Sequence, residues 1–160
     1  MKKISEIRPR SPERASALLR IGFGAVWLVN AWLKWQPGFL NGFASYISGA
    51  ADGQPGWVQA WLGFWSSVVA INPHLFGVIV ACIETALALG LLFGVFMDVI
   101  LPLGVVFACF VWAIPEAFGG PYTAGATDVG ASIIYVFVFI SLWIGNAESH
   151  FSLRSRRTRA

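Results

Sequence analysis

Charged side chains are scarce in this chain. Only 12% of its 160 residues are Asp, Glu, Lys or Arg, against 57% hydrophobic, where an average soluble domain carries roughly 25% charge. A soluble core alone does not account for this, because the apolar residues are gathered into long runs. A hydrocarbon layer of roughly 30 Å asks about 20 apolar residues of a helix, and four such runs use most of the chain. One compact bundle is therefore expected to be the whole domain, with no room for a separate soluble catalytic unit. Cysteine is also sparse: Cys82 and Cys109 lie inside apolar runs and form no C-x-x-C pair, which removes the usual dithiol redox signature. They read as small buried fillers, with a disulfide between neighbouring helices as the alternative. With only two histidines, scattered like the cysteines, haem, zinc or iron–sulfur ligation by this chain alone is rejected. Walker loop, dinucleotide fingerprint and nucleophile elbow are absent too.

What charge there is has an informative placement. Of the 11 Lys and Arg residues that outweigh 8 Asp and Glu to give the net charge of +3, Lys2, Lys3, Arg8, Arg10 and Arg14 lie ahead of the first run and Arg154, Arg156, Arg157 and Arg159 after the last. That distribution fits orientation signals and lipid headgroup contacts better than a nucleic-acid surface. The N-terminal stretch lacks the small-residue cleavage site of a signal peptide and its apolar run continues too far, so it is expected to remain. Four spans follow, at about 15–35, 73–96, 99–114 and 129–147. Ser11 or Ser16 can cap the first; Asn72-Pro73 opens the second as a helix cap and first residue. Gly90 and Gly94 form a G-x-x-x-G suited to close helix approach. Four crossings place both termini on the cytoplasmic side of a cell membrane, and the outer loops carry Asp52, Glu116 and Asp128 with no Lys or Arg beyond Lys34.

Between the first two spans, Gly38 to Asn72 is too polar and broken to cross. Phe39, Phe43 and Ile47 recur every four residues, as do Trp57, Trp61 and Trp65, with Asn41, Ser45, Ser48, Gln59, Ser66 and Ser67 on other sides. The pattern predicts two short amphipathic helices in the membrane interface, joined by a turn at Asp52-Gly53-Gln54-Pro55-Gly56. Trp32, Trp35 and Trp112 add to an aromatic belt at the outer face.

Ionisable groups inside a bilayer are expensive, so each needs a partner, a wet cavity or a function. Arg20, Trp27, Asn30 and Lys34 fall within roughly 80° of one another on the first span, a stripe expected to face the bundle interior. Arg20 and Lys34 are roughly 21 Å apart along the axis, so no small ligand bridges them, and Arg20 is expected to snorkel to the cytoplasmic headgroups. Glu84 sits mid-way along the second span among apolar neighbours. It is either a packing partner for Asn30, Lys34 or Arg20, or a proton-accepting, ligand-anchoring carboxylate below an outer cavity. At the outer end, Asp128, Ser132 and Tyr135 share one stripe of the fourth span, with Thr127 or Asp128 as its cap. His74 reads as a headgroup contact.

Several segments resemble the DoxX/DoxD family: Leu19-Arg20-Ile21-Gly22-Phe23-Gly24 leading to Trp27 and Lys34-Trp35-Gln36-Pro37; Glu84 followed by Ala88 to Gly94; and Trp112, Pro115-Glu116, Phe118-Gly119, Pro121-Tyr122, Asp128, Gly130 and Ile134-Tyr135. The likeness covers about Leu18 to Trp143. It implies an all-α four-helix membrane bundle. Its DoxD branch, the small subunit of thiosulfate:quinone oxidoreductase, implies electrons passing from thiosulfate to a membrane quinone beside a second protein subunit.

The leading expectation is a quinone-linked redox subunit. Glu84 and Asp128 would handle protons, and Lys34 would attract an anion. Asn30, Trp35, Trp112, Glu116, Tyr122 and Tyr135 would line an outward-facing cavity. Quinone enters as a substrate with nothing bound covalently, and any other cofactor must come from the partner. The alternative is a non-catalytic anchor that organises an oxidase or sulfurtransferase. A carrier is less favoured, because no inverted repeat or broken-helix pair is visible.

Overall fold

The computed structural model describes residues 12–122, 126 and 128–145, and among them there is no strand. Six α-helices follow in order: α1 (Pro12–Lys34), α2 (Pro37–Gly49), α3 (Gly56–Val69), α4 (Pro73–Phe93), α5 (Met97–Ala113) and α6 (Ala131–Ile144), with a tight turn at Ala117–Gly119 between the last two. Two of them are long and apolar enough to cross a membrane: α1 from Arg14 to Lys34, mean hydropathy 1.4, and α4, mean hydropathy 2.3. The other two of the bundle, α5 and α6, are shorter apolar helices.

Local chemistry explains most of the boundaries. Pro37 starts α2 after an extended Gln36, because its fixed φ suits a first helical residue that needs no N–H partner. The side chain of Asn72 accepts from Leu75 N at 3.1 Å ahead of Pro73, which is the capping expected of that pair. Gly94, left-handed at φ 62°, ends α4 three residues earlier than expected, and Val95 N turns back to Gly90 O at 3.2 Å. The G-x-x-x-G therefore divides its work. Gly90 makes room for Ile100, which a Cβ would meet at 2.6 Å, whereas Gly94 is a helix stop.

α1 runs antiparallel along α4. Its buried residues Ala17, Arg20, Phe23, Trp27 and Ala31 recur at helical spacing, so a single face meets the bundle. The approach is close at Gly24, where a Cβ would stand 3.0 Å from both Leu91 Cβ and Leu92 N. α5 pairs with α6, with Gly104 lying against the Phe139 ring. The main core joins Phe23, Trp27, Leu87, Leu91, Leu101, Phe107 and Phe139 from α1, α4, α5 and α6. A second core of Ile47, Val58, Leu62, Val69, Ile114 and Ala117 lies under the α2–α3 hairpin.

Several expectations are corrected. α1 begins at Pro12 with Ser16 inside it, while Ser11 and the basic residues at both chain ends, Arg14 excepted, lie outside the described residues. α6 starts at Ala131, because Gly130 adopts φ 86° and interrupts the helix; Thr127, Asn146 and Ala147 lie outside the described residues. On α3 the buried stripe is Val58, Leu62 and Val69. Trp57, exposed, and Trp61 and Trp65, half-buried, flank that stripe, a placement the sequence pattern leaves open. Both cysteines are free and exposed rather than buried, because each falls on the helix side turned away from the core. Arg20 is the largest departure. It is 0% exposed and donates to Leu91 O and, at 3.3 Å, to Leu92 O. It does not snorkel, because the last carbonyls of α4, lacking helical partners, accept its guanidinium within reach.

Candidate functional site

Lys34 is the last residue of α1 and Glu84 stands mid-way along α4, and the antiparallel packing brings Lys34 Nζ to 3.6 Å from Glu84 Oε1. The stripe on α1 therefore meets the carboxyl through Lys34, and the Lys34 side chain keeps 27% of its surface against 6% for Glu84. Pro37 turns the chain so that Phe39, at the start of α2, places its ring 5.1 Å below the ammonium, a cation–π cover. Next along the two helices, Trp35 Nε1 donates to Thr85 Oγ1 at 3.0 Å, and that hydroxyl donates to Ala81 O at 2.7 Å. These paired steps fix the register of α1 on α4. Asn30 lies about one turn inward of Lys34, half-buried.

The second oxygen of Glu84 is the unusual atom. Oε2 is buried without a hydrogen-bond partner among the described residues, as is Trp27 Nε1. Buried polar atoms are satisfied in the great majority of cases, so an unpaired oxygen beside an ion pair singles out Glu84; Trp27 stands about two turns further along α1 from Lys34, and Trp65 Nε1 on α3 is likewise unpaired among the described residues. Trp27 packs against Tyr135 at 5.8 Å and Phe139 at 5.6 Å between ring centroids, which places Tyr135 in an aromatic cluster of the core.

Trp112, Glu116, Tyr122 and Asp128 form a different group, around the start of α6. Glu116 accepts from Ser132 Oγ at 2.8 Å and Ser132 N at 3.1 Å, so its carboxylate caps α6 in the role expected of Thr127 or Asp128. The reason lies in Gly130: its left-handed backbone swings the preceding residues away from the first helical N–H groups. Asp128 Oδ1 instead accepts from Gly130 N at 2.8 Å. Trp112 Nε1 donates to Val129 O at 2.8 Å, and Tyr122, exposed, donates to Phe118 O. Ala117, Phe118 and Gly119 all have positive φ. For the first two this is a strained conformation, held by the Phe118 ring against Trp57 at 5.3 Å and Trp112 at 5.4 Å.

The expected site residues thus separate into Lys34, Trp35 and Glu84 with Asn30 nearby, a capping group at α6, and Tyr135 in the core. Phe39 and Thr85 were not anticipated. Phe39 was readable only as part of an amphipathic stripe, and nothing in the spacing pairs Thr85 with Trp35. Among the described residues, no group of three or more His, Cys, Asp or Glu side chains could hold a metal ion. Compared with protein families, curated proteins and solved structures, the chain matches none.

Proposed function

We propose that this chain is the membrane subunit of a quinone-linked oxidoreductase, with α1, α4, α5 and α6 crossing the bilayer and both termini cytoplasmic. An outward-facing cavity between the helices would end at Lys34 and Glu84. The observation that carries this reading is Glu84 itself: a carboxyl 4% exposed on a helix apolar enough to cross a membrane, with one oxygen beside Lys34 and the other without a partner among the described residues. At bilayer depth such a group costs several kcal/mol unless something answers it. Large apolar side chains facing outward on all four helices support the membrane setting, among them Val29, Ile79, Val106 and Phe137. So does the placement of Lys and Arg at the two chain ends, which the positive-inside rule puts in the cytoplasm.

Quinone chemistry couples electrons to protons. An ion-paired carboxylate in this position can accept a hydrogen bond from a quinol O–H and exchange the proton along it, Lys34 stands beside it, and Trp35 offers a flat wall. Asp128 is the second proton-handling group of the proposal. Of the other expected residues, Asn30 lies about one turn inward of this pair, whereas Trp112, Glu116 and Tyr122 stand around the start of α6 and Tyr135 in the aromatic core, outside the quinone contact of this proposal. The resemblance to the DoxX/DoxD family adds thiosulfate as the electron source, with a second subunit supplying any further cofactor. The exposed Trp57 and Phe64 of α3 favour the other reading, an anchor for a redox or sulfurtransferase partner.

Titrating the detergent-purified chain with a short-chain quinone, followed by tryptophan fluorescence, tests the site. Saturable quenching that weakens in Glu84→Gln is the expected result, and absence of saturable quenching would refute the reading. Adding thiosulfate with the same quinone separates a subunit that turns over alone from an anchor.

A further inference from the structure

We infer that the Lys34–Glu84 site recognises a hydrogen-bond donor on its ligand, so that within the quinone couple it takes the quinol in preference to the quinone. The inference rests on the quinone-site reading and narrows it by the chemistry of a single atom. Glu84 Oε1 faces Lys34 Nζ at 3.6 Å. Oε2, on a residue 4% exposed, has no partner among the described residues. A carboxylate in an ion pair is an acceptor only, so the group that satisfies Oε2 must donate.

A quinone offers two carbonyl oxygens, both acceptors, and would set lone pairs against lone pairs at Oε2. A quinol has nearly the same size and flat shape but carries O–H groups, one of which completes the carboxylate. The interaction is charge-assisted and shielded from water, the setting in which a hydrogen bond counts most. Charge argues in the same direction against a sulfur oxyanion. Lys34 is already engaged with Glu84 and with the Phe39 ring, so the pair has no net charge to offer, and Oε2 repels an anion. An anionic electron donor would therefore be handled outside this pair.

The test compares three probes under anaerobic conditions on the wild-type chain in detergent: a short-chain quinol, its quinone, and the dimethyl ether of the quinol, which lacks donors. The quinol is expected to bind at least about tenfold more tightly than either of the others, the effect of one hydrogen bond to a charged group. In Glu84→Gln, checked for retained helix content, the preference should shrink to within about threefold, because an amide can donate as well as accept. A quinone that binds as tightly as the quinol, an ether that matches the quinol, or a preference that survives Glu84→Gln would each overturn the inference while leaving a quinone site in place. If Glu84→Gln does not fold, the wild-type comparison of quinol, quinone and ether decides alone. If none of the three binds, the quinone reading fails and the inference with it.

Discussion

Replacing Glu116 separates a structural carboxylate from a ligand-binding one. The side chain accepts from the hydroxyl of Ser132 at 2.8 Å and from its backbone N–H at 3.1 Å, and Ser132 is 3% exposed. Glu116→Ala would leave a buried N–H and a buried hydroxyl without an acceptor. A lost cap costs about 0.5–2 kcal/mol, and a lost hydrogen bond to a charged group about 1.5–3 kcal/mol. The two overlap, because one carboxylate makes both, so a destabilisation of about 2–3 kcal/mol is expected. Glu116→Gln retains an acceptor and forfeits mainly the attraction to the positive end of α6, about 0.3–1 kcal/mol. Ser132→Ala should fall between the two. Denaturant unfolding in detergent, followed by helical circular dichroism, gives the order directly. If Glu116→Ala and wild type agree within about 0.5 kcal/mol, the scatter of ordinary surface substitutions, the capping account is wrong and Glu116 is free to serve a ligand.

Gly24→Val should weaken the chain by about 1–3 kcal/mol, because the new side chain meets the α4 backbone at Leu92 N, 3.0 Å from the added Cβ; unchanged unfolding would mean that α1 and α4 pack less closely. A double-mutant cycle on Lys34→Met and Glu84→Gln should return a coupling of about 0.5–3 kcal/mol, whereas strict additivity would dissolve the pair. The same cycle with Asn30→Leu in place of Lys34→Met should be near additive. Cysteines placed at Ser45 and Gln59, both exposed on the α2–α3 hairpin, should react with an impermeant thiol reagent from outside the cell, and protection of both would mean a buried or inward-facing hairpin.

Much of the helical architecture is readable from local chemistry. Asn72-Pro73 marks the start of α4 because cap and first turn involve adjacent residues, and the stripe Phe39, Phe43, Ile47 gives the inward side of α2 for the same reason. Antiparallel spans imply that Glu84 meets the α1 stripe, but depth alone favours Asn30, with Lys34 about one turn further out, and it is the long reach of the lysine that makes the pair. What escapes the sequence depends on atoms far apart in the chain. Glu116 caps a helix starting fifteen residues later, and only the left-handed Gly130 makes that geometry possible. Arg20 is held by backbone carbonyls of α4, and carbonyls leave no mark in residue identity. Gly94 looks like a packing glycine by spacing, yet its backbone angle makes it a helix stop. The cysteines read as buried because both lie inside apolar runs, and a run carries no information on which side of a helix faces the core.

The account depends most on α1, α4, α5 and α6 each crossing the bilayer, since only then does Glu84 lie at a depth where an unpartnered carboxylate oxygen calls for a ligand. Reporters that are active on one side of the membrane only, inserted at Gly53 in one fusion and joined after Ala160 in another, measure this directly. A reporter at Gly53 outside the cell, with the reporter after Ala160 in the cytoplasm, is the predicted result; both on the same side would contradict the four-span arrangement and remove the membrane setting of the site.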